Sequence, residues 1–237
     1  MAKMKMAVIS DLHLGRGDLA DLFGHEDGKF VRFLQELENN FEKIVLLGDI
    51  FEVLGAPRLG SSRSEFEQIH KAHPEIVGRL LSPRYIYVHG NHDYQARKVH
   101  GAPSAVLVED HGMRILLTHG HHFDWLHRAR WLSALAVWLG AWTRRLGGSA
   151  LCRLRSAHAA LQPKIKESPL STRFQRWAIA LAEARGADVV VTGHTHSPCV
   201  RKIGARFFIN SGACFAGRFE FLNLDTRTKT FEVRTWS

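Results

Sequence analysis

Five times along this chain a short apolar, β-like run ends at a cluster of Asp, Asn, His and Gly. Met6-Ala7-Val8-Ile9 leads to Asp11-Leu12-His13, Ile44-Val45-Leu46-Leu47 to Gly48-Asp49, and Tyr85-Ile86-Tyr87-Val88 to Gly90-Asn91-His92-Asp93. Ile115-Leu116-Leu117 leads to His119-Gly120, and Val189-Val190-Val191 to Gly193-His194-Thr195-His196. Buried strands that end in such side chains deliver them to one rim of a sheet, where ligands of α/β proteins bind. Asp11 and His13 are two apart, as are His194 and His196, so an extended strand end would aim each pair the same way. Asp49 follows a glycine that permits close backbone approach, and its two oxygens can bridge two cations. Asn91 offers a neutral carbonyl oxygen, and His119, His194 and His196 offer imidazole nitrogens. Mixed nitrogen and oxygen donors without thiolate suit Mn²⁺, with Fe or Zn²⁺ as alternatives, better than Mg²⁺ or Ca²⁺.

Two such cations about 3.5 to 4 Å apart can hold one hydroxide and stabilise both oxygens of a phosphoryl displacement. Two divalent ions less the charges of Asp11 and Asp49 leave about +2, which suits an anionic phosphate ester. His92 has no place among the ligands. It adjoins Asn91 and can act as a general acid or as a hydrogen-bond donor to the transition state. Asp93 can orient it through the other ring nitrogen. The chain has fifteen histidines, and most need no function. His25, His70, His73, His100, His111, His127 and His158 read as surface or capped core residues, whereas His89, His121 and His122 flank the clusters without a spacing that demands ligation.

The elements that must carry these residues alternate through the first half: a strand to Ile9, a helix over 28–39, a strand over 44–47, and a helix over 64–73. That alternation predicts an α/β layered fold. Strands over 105–108 and 114–117, separated by Glu109-Asp110-His111-Gly112, read as a hairpin. A helix over 172–185, strands over 188–191, 199–203, 206–209 and 219–224, and an edge strand over 230–234 complete the pattern. The expected architecture is two facing mixed β-sheets flanked by helices, a four-layer sandwich in one domain spanning 1–237.

An insertion over 124–170 interrupts that domain. Trp125, Leu126, Trp131, Leu132, Leu135, Val137, Trp138, Leu139, Trp142 and Leu146 give a Trp-rich helical stretch bracketed by arginines. It is too short and too Arg-flanked to span a membrane. It reads either as a helical hairpin that covers the core or as an amphipathic lid that touches lipid. Residues 126–176 hold ten basic side chains against the single acid Glu167, so this segment carries the whole net charge of +9. A local basic surface implies a local anionic partner. The odd number of cysteines, Cys152, Cys199 and Cys214, without C-x-x-C spacing, indicates neither a disulfide framework nor a structural zinc. The N-terminus lacks an apolar leader, so a cytoplasmic protein is expected, with peripheral contact at the inner face of the membrane if the lid meets lipid.

The motifs Asp11-Leu12-His13, Gly48-Asp49, Gly90-Asn91-His92-Asp93, His119 and Gly193-His194-Thr195-His196, in this order, resemble the calcineurin-like metallophosphoesterase family. The resemblance implies a first metal held by Asp11, His13, Asp49 and His196, and a second by Asp49, Asn91, His119 and His194. Within the family, the chain length, the Gly48-Asp49-Ile50-Phe51-Glu52 run and the basic insertion resemble the UDP-2,3-diacylglucosamine hydrolases of lipid A synthesis. Those enzymes cleave a pyrophosphate to a lipid-sugar phosphate and UMP, beneath helices that cover the acyl chains. The resemblance implies a lipid-linked nucleotide sugar as substrate, with Lys164 and Lys166 as phosphate contacts. The chain departs from that group at His92, where many members have Arg. Two other readings compete: a phosphodiesterase or phosphatase acting on nucleotides, phosphoprotein or nucleic acid, and a non-catalytic scaffold of the same fold. The aromatics are confined to one insertion rather than spread along a basic groove, which speaks against nucleic acid. The complete ligand set speaks against a scaffold.

Overall fold

A computed structural model describes residues 5–123, 130–146 and 169–237. The apolar runs form the central strands of two five-stranded mixed sheets. In the first, β1 (Lys5–Ile9), β2 (Lys43–Leu47) and β3 (Tyr85–Val88) are parallel, while β9 (Glu220–Asp225) and β10 (Thr230–Thr235) add antiparallel strands beyond β1, in the order β10-β9-β1-β2-β3. In the second, β5 (Met113–Thr118), β6 (Val189–Thr192) and β8 (Arg206–Asn210) are parallel, with β4 (Ala105–Asp110) and β7 (Cys199–Ile203) antiparallel at its edges. The expected hairpin is β4–β5. Its two-residue turn, His111-Gly112, has positive φ at both positions (49° and 70°), the twist that matches a right-handed strand pair. The expected edge strand is β10.

Alternation along each strand builds the layers. Met6, Val8, Val45 and Leu47 face Ile115, Leu117, Val189 and Val191 of the other sheet. Their neighbours Ala7, Ile9, Ile44 and Leu46 point outward onto helices. There, α1 (Asp27–Asn40) contributes Phe30, Phe33, Leu34 and Leu37. The expected helix over 64–73 is α2 (Ser62–Ala72), followed at once by α3 (Pro74–Leu80). Pro74 has no N–H to continue α2 but suits the first turn of a new helix, so the chain restarts there. A short α4 (Ala96–Val99) was not evident from periodicity. On the far face of the second sheet, α6 (Pro169–Ala184) packs Phe174, Ala178 and Ala182 onto Leu116, Val190 and Phe208.

Of the insertion, the described part is mainly one helix, α5 (Arg130–Arg145). Trp138 and Trp142 donate their indole N–H groups to Pro57 O at 3.3 and 3.2 Å, Arg145 bonds Asp18 at 2.8 Å, and Ala141 is fully buried. The helix therefore docks on the loops that follow β1 and β2. Trp131 (69% exposed), Leu139 (50%) and Leu146 (77%) remain in solvent. Trp125, Leu126, Lys164 and Lys166 lie outside the described residues. Among the described residues no helix is long and apolar enough to cross a membrane.

The layers make opposite demands on two helical positions. Phe33 is fully buried between α1 and the first sheet, so Phe33→Ala should cost about 3–5 kcal/mol of stability. Gly78 lies on the exposed side of α3 with open space around it, so Gly78→Ala should add about 0.5–1 kcal/mol. Urea unfolding midpoints moving in opposite directions would bear out the layering; a Phe33→Ala midpoint near wild type would contradict it.

Candidate metal centre

Parallel strands deliver the clusters to one end, but the final approach is not made by strand alternation. β1 ends at Ile9 and β6 at Thr192, before either His pair begins. Asp11, His13, Asp49, His194 and His196 all take left-handed backbone conformations, with φ between 48° and 67°. The expected extended strand ends are thus replaced by successive left-handed kinks, and these turn the paired side chains inward. Each such residue costs on the order of 1–3 kcal/mol, less for Asp and His than for bulky residues, and such strain collects at functional sites. Cross-loop hydrogen bonds fix the kinks: Asp11 N–H to Gly48 O and His13 N–H to Asp49 O, both at 3.0 Å. Two glycines make room. A Cβ at Gly48 would come within 2.5 Å of the His119 ring, and one at Gly90 would run into the Asp49 carboxylate.

The ligand atoms are selected by what the rest of each side chain is doing. Asp11 Oδ2 accepts from Ser10 Oγ (2.5 Å) and from His194 N–H (3.1 Å), which leaves Oδ1 buried without a hydrogen bond. Asp49 Oδ1 accepts from His92 N–H at 2.8 Å, and its Oδ2 faces His119 Nε2 at 3.1 Å. His119 Nδ1 lies 2.8 Å from Leu47 O, which can only accept, so Nδ1 carries the proton and the neutral ring presents a lone pair at Nε2. Nε2 and Asp49 Oδ2 are then two acceptors face to face, a contact that only a proton or a cation can relieve. Asn91 Oδ1 is likewise buried and unpaired. Asp11, His13 and His196 each bring one donor atom to within 4.8 Å of the others, and so do Asp49, His119 and His194. The two trios fall within the two ligand sets that the family resemblance implies.

The electrostatics favour added positive charge. Burial would raise the Asp11 carboxyl, yet His196 and His119 together hold it at about 2, and the Asp49 carboxyl is held well below the usual range in the same way, chiefly by His119 and His92. Burial opposes a charged His119, but Asp49 and Asp11 outweigh it and raise the ring to about 9. Burial lowers His196 despite Asp11 beside it, which favours the neutral, ligating ring. Orphaned donor atoms and uncompensated carboxylates fit divalent cations bound by nitrogen and oxygen.

One expected contact is corrected. Asp93 does not orient His92. Its Oδ1 accepts from Gly90 N–H (2.6 Å), and its Oδ2 from Ile50 N–H (2.8 Å) and Tyr87 O–H (2.7 Å), so it ties the loop after β3 to the loop after β2. The partner of His92 is Glu52, whose buried Oε2 accepts from His92 Nδ1 at 2.7 Å and from His13 Nδ1 at 3.1 Å. Glu52 belongs to the Gly48–Glu52 run, and its place three residues after Asp49 is the sequence signal for this role. Burial works against a charged His92, but Glu52 and then Asp49 raise it to about 10, and Glu52 itself is held at about 2. His92 can therefore present a protonated Nε2 to an anionic group.

Two facing sheets with metal-competent strand ends define a metallophosphoesterase. Residues 4–198 match the family model described as calcineurin-like phosphoesterase, and the chain belongs to that family. It is a phosphoesterase, a hydrolase. A protein of Ralstonia nicotianae named UDP-2,3-diacylglucosamine hydrolase is 27% identical over 216 residues, covering 80% of this chain and 76% of the relative. One of the same name from Azotobacter vinelandii is 27% identical over 218 residues, covering 84% and 85%. Among solved structures, Vps29 of Chaetomium thermophilum aligns over 98% of this chain and 96% of its own at 15% identity and a TM-score of 0.50, a likeness of fold.

Two substitutions separate ligand from positioning roles. Asp49→Ala should abolish stoichiometric Mn²⁺ binding by elemental analysis. Glu52→Gln should retain the metal yet move the basic limb of the kcat–pH profile to lower pH, because the charge that keeps His92 protonated is gone. An unchanged limb would remove His92 from proton transfer.

Proposed function

We propose that the chain is a two-metal hydrolase of a phosphate ester or pyrophosphate bond, with a UDP-2,3-diacylglucosamine-like substrate. The carrying observation is that Asp11 Oδ1, Asn91 Oδ1 and His119 Nε2 are buried without a hydrogen bond, with Asp11 Oδ1 3.0 Å from His196 Nε2 and His119 Nε2 3.1 Å from Asp49 Oδ2. In this reading Asp11, His13, Asp49 and His196 hold one cation, and Asp49, Asn91, His119 and His194 hold the other, Asp49 being shared. The cations, Mn²⁺ by preference, supply Lewis acidity for phosphoryl oxygens and lower the pKa of a water. His92 donates from Nε2 to a phosphoryl or leaving-group oxygen, and Glu52 keeps it charged and oriented. Asp93 acts on the site by positioning Asp49 and Asn91 through the loop backbones.

The substrate assignment is supported by the relatives' names and by α5. Trp131, Leu139 and Leu146 give an exposed apolar edge on a helix anchored to the loops that carry Asp11 and Asp49. Such an edge suits acyl chains, and within a basic segment it suits contact with the inner face of an anionic membrane. His92, in place of the Arg of many such enzymes, favours one second reading, a phosphodiesterase with a smaller nucleotide substrate.

A substrate panel with added Mn²⁺ decides between them. UDP-2,3-diacylglucosamine should exceed a nucleotide diester, a phosphopeptide and bis(p-nitrophenyl) phosphate in kcat/KM by about a hundredfold. Replacing Trp131, Leu139 and Leu146 together by Ser should raise KM for the lipid substrate and spare the small diester. Equal loss on both would make α5 merely structural.

A further inference from the structure

Next to the metal centre lies a cavity of about 410 Å³ that no role above uses. It forms between residues 89–98, which lead from β3 into α4, Ser104 before β4, and the 3-10 turn His121–Phe123 after β5. His89 N–H bonds Pro103 O at 3.0 Å, which draws the end of β3 against the start of β4 and closes one wall. A file of rings leads into it from the metal centre. The His121 ring is 5.6 Å from that of His119 and 5.7 Å from that of His89, and His122 lies 4.0 Å from His121 at an interplanar angle of 32°. Arg97 and Lys98, both exposed on α4, complete the lining, and no carboxylate is among the described lining residues.

We propose, resting on the phosphoester reading above, that this cavity binds the nucleoside phosphate end of the substrate. The base lies against the His121 and His122 rings, and an anionic oxygen pairs with Arg97 and Lys98. Three features of the lining select this ligand class. Two cations with no carboxylate among the described lining residues call for an anion, Arg giving the planar, two-pronged contact that phosphate oxygens accept. A ring pair already stacked 4.0 Å apart calls for a planar group that extends the stack, because stacking on aromatic rings is available to every base. Ser104 and Gln95 offer donors and acceptors for a base edge or a ribose hydroxyl. A bare phosphate would need the cations but not the rings, and an acyl chain would need neither. The volume lies within the range of small-molecule sites, about 300–1,000 Å³.

Position adds a further reason. The cavity is one ring beyond His119, so a ligand there is close enough to be covalently continuous with a phosphoryl group at the metal centre. α5, with its apolar edge, is anchored on the loops after β1 and β2, a different set from those that build the cavity. The metal centre thus has an apolar neighbour on one set of loops and a cationic, ring-lined neighbour on another. A molecule with its scissile phosphate between an apolar half and a nucleoside half matches both.

The test is equilibrium binding of UMP and of inorganic phosphate to the Mn²⁺-loaded full chain by titration calorimetry. Phosphate alone reports the metal centre, whereas UMP reports the metal centre and the cavity together. In Arg97→Ala/Lys98→Ala, UMP affinity should fall about tenfold or more while phosphate affinity changes less than about threefold. Ser104→Trp, which fills the cavity from its exposed rim, should produce the same separation without removing charge. UMP affinity unchanged in both variants, or UMP and phosphate weakened by the same factor, would overturn the proposal. Thermal unfolding of each variant within a few degrees of wild type establishes that the fold is retained. The outcome is separable from the substrate reading: a chain that binds UMP in this way but does not cleave UDP-2,3-diacylglucosamine keeps the cavity and loses that substrate. A chain that cleaves it with UMP affinity indifferent to both variants keeps the substrate and loses the cavity.

Discussion

Two carboxylates, Asp11 and Asp49, are buried almost completely where the ends of the two sheets meet, each raising the cost of ionising the other. Carboxylates taken out of water without partners cost several kcal/mol each and would ordinarily bind a proton instead. Here the neighbouring imidazoles hold both in the ionised form. The rest of the structure is organised around keeping that charge concentrated. Five left-handed residues aim the side chains inward, and a glycine beside each carboxylate-bearing loop removes the Cβ that would obstruct them. Strain of this kind persists only where the surroundings over-determine it, and the central parallel strands, with both faces packed, supply rigid ends from which the kinks start.

A division of labour runs through the polar groups. Four of the proposed ligands have one atom held by the protein: Ser10 and the His194 amide occupy one oxygen of Asp11, the His92 amide one oxygen of Asp49, Leu47 O the Nδ1 of His119, and Glu52 the Nδ1 of His13. The satisfied atom fixes ring tautomer and carboxylate rotation, and the other atom is thereby presented to the centre. Asn210 does similar work for the last loop, with its Nδ2 donating to Gly193 O and to the Thr192 and Thr195 hydroxyls. Arg218 completes it by donating to His196 O.

The sequence was most informative where chemistry and periodicity act locally. Apolar alternation located the core strands, because a residue buried between two sheets must be apolar whatever its partner, and the proposed ligands stood out as polar residues ending those runs. Local reasoning failed where a contact depends on the path of another loop. Asp93 adjoins His92 and was the natural orienting group, yet adjacent side chains on a tight loop diverge, and Asp93 turns to the amides after β2 while Glu52 arrives from that loop to meet His92. Convergence of the Asp11 and His13 pair was anticipated from period-two geometry, but it comes from positive φ at both residues. Left-handed Asp and His leave little trace in composition, unlike glycine, so this device is invisible without the backbone.

The charge distribution gains meaning from where α5 is attached. Arg145 reaches Asp18 on the loop that begins with Asp11, and Trp138 and Trp142 hold Pro57 on the loop that begins with Asp49. The loops that carry the two buried carboxylates therefore also hold α5. In the proposed function, reaction and recognition fall to different sequence segments joined through the same two loops. The chemistry of a phosphoester hydrolase needs only the strand ends, whereas in the proposed arrangement the choice of substrate falls to groups that can change without disturbing them: the apolar edge of α5 on one side, Arg97 and Lys98 on the other. Exposed residues on short helices suit that second task, since substitution there leaves the buried charge cluster intact.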